Sequence, residues 1–276
     1  MDIGLLGPLR VDQSGVSVVP TAAKPRKVLA LLACRADRLV SVESLIEEVW
    51  GEDPPRSVQT TLQTYVLQLR GCISAALDGQ LPADLPLGSK SVLVTEPGGY
   101  LLDTQGGTLD SAEFDRLARR GHCAMEAGDC VTASAVFRQA LALSRGPALV
   151  DVQCGPLLEA EARALEESRL SILGRRIEAD LRLGRHHELL GELAGLCAQY
   201  PLHEGLQAQL MIALYRAGRR STALETYQRL RTLLSRELGL DPSPELRELQ
   251  SALLEADPAL ALPPQSPAST RLLRAI

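Results

Sequence analysis

The tightest constraint on this chain is an internal repeat. Leu181-Arg182-Leu183-Gly184-Arg185 and Leu214-Tyr215-Arg216-Ala217-Gly218-Arg219 place Gly184 and Gly218 thirty-four residues apart. The same interval lays Ala223, Tyr227 and Leu230 over Leu189, Leu193 and Leu196. A glycine that ends one helix, followed at fixed distance by an apolar stripe on the next, marks stacked helical hairpins, and 34 residues is the tetratricopeptide period. Ala124 to Leu143, with Gly128 in the turn and Ala135 and Ala140 in the second helix, reads as an earlier copy. The stretch between Leu143 and Leu170 is too long for the same register, so the repeat is imperfect there. From Leu109 to about Ala256 the pattern is helical throughout, which predicts roughly three hairpins and a capping helix near 244–255, after Asp241-Pro242-Ser243-Pro244.

The first 105 residues obey a different period. Ile3 to Gly7, Leu9 to Val11 and Val16 to Val19 read as short strands, broken by Pro8 and by a Ser14-Gly15 turn. Three helical patterns follow, at 24–36, at Val42 to Val49 with Ser41 as N-cap and Gly51 as terminator, and from Pro55 to about Ala76. Residues 78–90 are turn-rich and predict a loop. Ser91 to Thr95 and Tyr100 to Asp103, separated by Glu96-Pro97-Gly98-Gly99, predict a β-hairpin. The last segment, 257–276, is rich in proline, and disorder is expected there.

Composition removes several function classes. The longest apolar run, Val28 to Cys34, is seven residues, far short of the ~20 that a membrane-spanning helix needs. The start, Met1-Asp2-Ile3-Gly4, carries no basic region leading into an apolar one, and the six scattered cysteines contain no Cys-x-x-Cys pair. A cytoplasmic chain with reduced thiols is expected, Cys123 and Cys130 included. Net charge is −5, from 29 basic and 34 acidic side chains, so any claim on nucleic acid must rest on local charge. Residues 24–38 supply some, with Lys24, Arg26, Lys27, Arg35 and Arg38 against Asp37. Glu43, Glu47, Glu48, Glu52 and Asp53 cluster on the second helix and its exit and bring the first 105 residues to a net of −3. A domain with one modestly basic face is expected.

The third helix is the most informative stretch. Val58, Leu62, Tyr65, Val66, Leu69 and Ile73 form one apolar stripe for the core. Between Arg56 and Arg70 there is no charged residue, although an exposed helix ordinarily carries Lys and Glu for solubility and i,i+4 pairing. Gln59, Thr60, Thr61, Gln63, Thr64 and Gln68 cover the other faces. Gln and Thr donate and accept hydrogen bonds at base edges, and Arg56 and Arg70 at the two ends suit phosphates. The competing reading is a polar helix packed against the second domain.

Two ordered series of motifs then point to a family. Lys24-Pro25-Arg26-Lys27, Leu45-Ile46-Glu47-Glu48-Val49-Trp50-Gly51, Thr61-Leu62-Gln63-Thr64-Tyr65-Val66 and Pro97-Gly98-Gly99-Tyr100 are followed by Gly155-Pro156, Arg176-Ile177-Glu178-Ala179-Asp180-Leu181, Leu183-Gly184-Arg185-His186, Pro201-Leu202-His203-Glu204 and Glu237-Leu238-Gly239-Leu240. Over residues 1–256 the chain resembles the Streptomyces antibiotic regulatory proteins. The resemblance implies a mainly α fold with a small β component: an OmpR/PhoB-type winged helix-turn-helix over 1–105, then an all-α tetratricopeptide-like bacterial transcriptional activation domain over 106–256. It also implies an activator of an antibiotic biosynthesis cluster that binds direct repeats in promoter DNA, self-associates there and contacts RNA polymerase. Larger relatives append an ATPase, and no Gly-x-x-x-x-Gly-Lys-Ser/Thr motif occurs here.

Carried over by position, Thr60, Gln63, Thr64 and Gln68 become candidates for the major groove, with Arg56, Tyr65 and Arg70 on the DNA backbone. Lys24 and Arg26 would meet phosphate at the first helix's N-terminus, where the helix dipole helps. Tyr100 of the wing would meet phosphate as well. Glu96 departs from the basic residue that related wings often carry, and a carboxylate is repelled by phosphate.

No cofactor, metal site or enzyme activity is expected. His186-His187 opens a helix without further ligands at metal spacing, and no nucleophile–base constellation can be assembled. Two other functions stay open from sequence: a protein-interaction adaptor built on the repeats, and a repressor with the same grip on DNA. The expected location is cytoplasmic, associated with the nucleoid.

Overall fold

The computed structural model describes residues 1–77 and 88–261. The loop expected at 78–90 lies, except for its last three residues, outside the described residues. So does most of the 257–276 tail, of which Pro258–Ala261 forms a short helix, α12. The chain is mainly helical with two small antiparallel sheets. It divides into two compact units, and each is interleaved in sequence: Met1–Leu117 with Gln139–Leu170, and Ala118–Arg138 with Ser171–Ile276.

In the first unit β1 (Asp2–Gly4), β2 (Arg10–Gln13) and β3 (Val16–Ser17) form one meander, with Ile3 opposite Val11 and Asp12 opposite Ser17. α1 (Ala23–Cys34) follows, and Val28 through Ala33 are all fully buried. The apolar run that is too short for a membrane is thus a helix enclosed on every side by the core. β4 (Leu39–Ser41), which nothing in the sequence foreshadows, leads directly into α2 (Val42–Trp50). The Ser41 hydroxyl accepts from the Ser44 amide at 3.1 Å, which is the expected N-cap, and Gly51 at φ +58° ends the helix. α3 (Val58–Leu77) and the short α4 (Ser89–Val92) precede the hairpin of β5 (Leu93–Glu96) and β6 (Gly99–Leu102).

The second sheet has the order β4-β6-β5. Its closest approach is at Gly99, where an added Cβ would lie 2.2 Å from the Val40 carbonyl oxygen, so only glycine lets β4 and β6 pair. A strand of three residues, one of them exposed, carries too little periodicity to be read from sequence; the hairpin creates it by offering β6 an open edge.

Residues 139–170 are tied to this unit by charge as well as by packing. Asp151 accepts from Leu9 N at 2.7 Å, and Arg145 pairs at 3.4 Å with Asp110, which itself accepts from the Leu5 and Leu6 amides at 2.8 and 3.0 Å. Arg145 N and Leu149 N donate to the Leu6 and Gly7 carbonyls. Glu48 corrects a sequence expectation. It is not part of an acidic surface cluster: it is 1% exposed, and its carboxylate accepts from the amides of Gly155, Leu157 and Leu158 at 2.5, 2.9 and 3.1 Å. Those are the unpaired donors at the start of α7 (Pro156–Arg182), so Glu48 caps that helix from a distant part of the chain.

The boundaries between the units fall inside α5 (Asp110–Glu126), α6 (Cys130–Ala142) and α7. In the second unit the C-terminal part of α7 is followed by α8 (His186–Gln199), α9 (Glu204–Arg216), α10 (Arg220–Leu238) and α11 (Pro244–Glu255). Gly128, Gly184 and Gly218 have φ of +79°, +78° and +77°. At each of them the glycine amide bonds to the carbonyl three residues back and the following amide to the carbonyl five back, as in Gly184 to Leu181 and Arg185 to Asp180. The same Schellman turn is made three times, which is the physical content of the sequence repeat. Ala223, Tyr227 and Leu230 are buried on α10, as are Leu189 and Leu193 on α8, whereas Leu196 is only half-buried. The copy that breaks register does so because residues 143–155 pack into the first unit.

Candidate nucleic-acid interface

α3 divides cleanly into two faces. Leu62, Val66, Leu69, Ile73, Ala76 and Leu77 are buried, whereas Gln59, Thr60, Gln63, Thr64, Leu67, Gln68 and Gly71 are exposed. The exposed positions recur at three- and four-residue spacing and make one stripe without a charge. The Thr64 hydroxyl donates to the Thr60 carbonyl at 2.9 Å, and that of Thr61 to the Ser57 carbonyl at 3.0 Å. Each hydroxyl then retains its lone pairs as acceptors. Arg56 is exposed at the N-terminal end and its side chain has no hydrogen-bond or ion-pair partner among the described residues.

The remaining expected contacts each have neighbours within the first unit. Arg70 donates through Nε and Nη2 to the Leu93 carbonyl, at 3.1 and 2.7 Å, and through Nη2 to Thr95 Oγ1 at 2.7 Å, so it ties α3 to the hairpin. Tyr65 is half-buried and stacks on Trp50, with ring centroids 5.9 Å apart and planes 12° from parallel. Lys24 lies over the Trp50 ring at 5.4 Å, an exposed cation held at the edge of that stack. Arg26 donates to the Pro20 carbonyl at 3.0 Å and pairs with Asp151 at 3.3 Å. Tyr100 is 7% exposed and belongs to the hydrophobic core of the first unit. The turn of the wing is Pro97-Gly98, with φ +88° at Gly98 as a type II turn requires, and Glu96 stands exposed beside it.

These pairings also revise the basic face expected at 24–38. Besides Arg26, Lys27 donates to the Glu48 carbonyl at 3.2 Å, and Arg35 lies 3.7 Å from Glu161. Lys24 and Arg38 are the exposed cations of that segment. One side chain that the sequence reading overlooked is Leu67, 69% exposed in the middle of the polar stripe. Its signal was present: it is a leucine of α3 that falls outside the Leu62–Val66–Leu69–Ile73 stripe.

Five of the six cysteines are buried or half-buried, and Cys123 is exposed rather than buried. Burial pushes the Cys34 thiol far above its ordinary range and that of Cys197 up to about 11, so neither ionises near neutrality. Among the described residues there is no cluster of three or more His, Cys, Asp and Glu placed to hold a metal ion, and no helix long and apolar enough to cross a membrane.

Comparison with known proteins agrees with this geometry. Residues 109–254 match the model of the bacterial transcriptional activator domain, and residues 17–82 match that of the transcriptional regulatory protein C-terminal domain. The chain is 51% identical over 260 residues to the regulatory protein DnrI of Streptomyces peucetius, covering 94% of each. It is 39% identical to the regulatory protein AfsR of Streptomyces coelicolor over 94% of this chain, which corresponds to 24% of AfsR. A structure of Mycobacterium tuberculosis EmbR in complex with a low-affinity phosphopeptide superposes with a TM-score of 0.85 at 34% identity, over 98% of this chain and 68% of that one.

Proposed function

The chain belongs to the Streptomyces antibiotic regulatory protein family of transcriptional activators, and from that premise we propose that it binds direct repeats in the promoters of an antibiotic biosynthesis cluster and recruits RNA polymerase. The observation that carries the reading is the exposed, uncharged Gln/Thr face of α3, held on a core by Arg70 and by the Trp50–Tyr65 stack. A helix of a helix-turn-helix unit enters the major groove, and amide and hydroxyl groups read base edges there. Thr60, Gln63, Thr64 and Gln68 are the reading residues of this proposal. Arg56 and Lys24 are its phosphate contacts, and Arg26, Tyr65, Arg70 and Tyr100 support the surface from behind. Residues 1–105 form its DNA-binding module and 106–256 its activation module, and the protein works in the cytoplasm on the nucleoid, not as an enzyme.

Direct rather than inverted repeats demand a head-to-tail arrangement of protomers, which is a heterologous contact and not a two-fold one. A gel-shift titration against promoter fragments from the protein's own genomic neighbourhood, with excess non-specific competitor, tests the reading. A discrete band that survives competition, followed by a footprint over two tandem half-sites, is the expected result. No shift at any salt concentration would sink it and leave the repeats as a protein-binding adaptor.

A further inference from the structure

Leu67 stands where neither folding nor solubility asks for it. It is 69% exposed, while the four apolar residues that turn α3 toward the core, Leu62, Val66, Leu69 and Ile73, are each no more than 2% exposed. Its neighbours on the helix surface are Gln63 and Thr64 one turn before and Gly71 one turn after, all exposed. An added Cβ at Gly71 would meet nothing within 4 Å, so the surface beside Leu67 is flat and free of obstruction. The nearest charged residues in sequence are Arg56 and Arg70, and Arg70 is turned to the hairpin. An isobutyl group in the centre of a stripe of amides and hydroxyls gives that stripe its largest apolar contact point.

The major groove contains one apolar feature that distinguishes bases, the C5-methyl group of thymine. Resting on the proposed DNA-binding role of α3, we propose that Leu67 is a specificity-determining residue that packs against a thymine methyl in each half-site. The amides and hydroxyls of Gln63 and Thr64 fix the neighbouring bases by hydrogen bonding. Leu67 adds discrimination by burying a methyl group, which hydrogen bonds cannot supply. Burial of one methyl group corresponds to about a fourfold change in affinity, or ~0.8 kcal/mol at 1.4 kcal/mol per tenfold.

Deoxyuridine tests this directly, because uracil pairs like thymine and lacks only the methyl group. Wild-type protein and Leu67→Ala are titrated by fluorescence anisotropy against the footprinted promoter duplex, and then against duplexes with each thymine replaced singly by deoxyuridine. Wild type is expected to lose about fourfold at one thymine per half-site. Leu67→Ala is expected to lose about the same on unmodified DNA and nothing further at that position. Leu67 is exposed, so the variant keeps the wild-type fold, checked by its circular dichroism spectrum. A thymine-to-uracil penalty that persists undiminished in Leu67→Ala would assign the methyl to another group, such as Thr60 or Thr64, and overturn the inference. So would the absence of any methyl-sensitive thymine. An unchanged DNA affinity with lost promoter activation would make Leu67 a contact for protein and overturn it as well. Wild-type protein that fails to bind the unmodified promoter overturns the DNA-binding reading itself, and that titration is scored first.

Discussion

Glu48 shows how much a single side chain does in this protein without advertising it. Its neighbours Glu43 and Glu47 are exposed on the same helix, and composition treats all three alike. What separates them is a partner more than a hundred residues away, the N-terminus of α7, whose amides converge on one carboxylate. Glu48→Ala strips that partner from three helix-start donors and is expected to cost about 2–3 kcal/mol in urea unfolding, against less than ~0.5 for Glu47→Ala. Equal effects of the two substitutions would remove the capping role. Gly155 is fixed by the same contact, since a Cβ there would sit 2.2 Å from the Glu48 carbonyl oxygen. The sequence displayed Gly155-Pro156 as a motif but held no clue to its reason, because the reason is a tertiary one. For DNA the residue-scale expectation is a contrast. Arg56→Ala weakens binding to all sequences alike, whereas Gln63→Ala or Thr64→Ala relaxes preference at particular bases, by about 1–3 kcal/mol of discrimination each. A selection of bound sites from random duplexes separates the two behaviours, and unchanged site preference in the Gln63 and Thr64 variants would deny α3 its reading role.

At the scale of elements, glycine position distinguishes what is structural from what is exposed. Gly184 and Gly218 occupy left-handed turns that any other residue enters with strain, and their thirty-four-residue spacing was legible because the turn is made the same way each time. Gly71 is different: it lies within α3, has ordinary helical geometry and faces open space. Gly71→Ala is therefore expected to raise stability by about 0.5–1 kcal/mol through helix propensity alone, while Gly184→Ala lowers it by more than ~1 kcal/mol. Thermal unfolding of the two variants decides it, and a destabilised Gly71→Ala would show that the open face is not open. The long helices, the hairpin and the cap at Ser41 were readable from periodicity and local chemistry, whereas the short α4 lies where a loop and the start of a strand were expected. β4 was not, being three residues defined only by pairing with β6. Nor was the buried polar band of α7, where Asp180 is fully buried and accepts from Ser134, Arg138, Arg176 and Arg185. In sequence such a band looks like an ordinary solvated face, and only its partners on α6, on α7 and at Arg185 before α8 reveal that it is paired in the interior.

Across the whole molecule the question is how a chain of net charge −5 holds a polyanion. The local excess of cations at 24–38 promised a basic face, and most of it is spent inside the first unit on Asp151, Glu161 and the Glu48 carbonyl. What is left exposed without a carboxylate partner in the described part of the first 105 residues is Lys24, Arg38, Arg56 and Lys90. Each phosphate neutralised contributes about −0.9 to the slope of log K against log salt concentration, so three to four contacts give a slope of about −3 for each bound protomer. Affinity must then come from base contacts and from neighbouring protomers, and non-specific binding must be weak. This agrees with a stripe on α3 that offers hydrogen bonds and one leucine in place of lysines. On the proposed reading, tandem sites would follow from the same balance, since a weak half-site becomes a strong operator when two protomers bind side by side. Equilibrium titrations of a single half-site and of the tandem site, from 50 to 300 mM salt, measure both quantities. A half-site slope near −3 with a large gain on the tandem site is the expected outcome. A slope near −10 on the half-site would mean that the internal ion pairs open on DNA and that the grip is electrostatic after all.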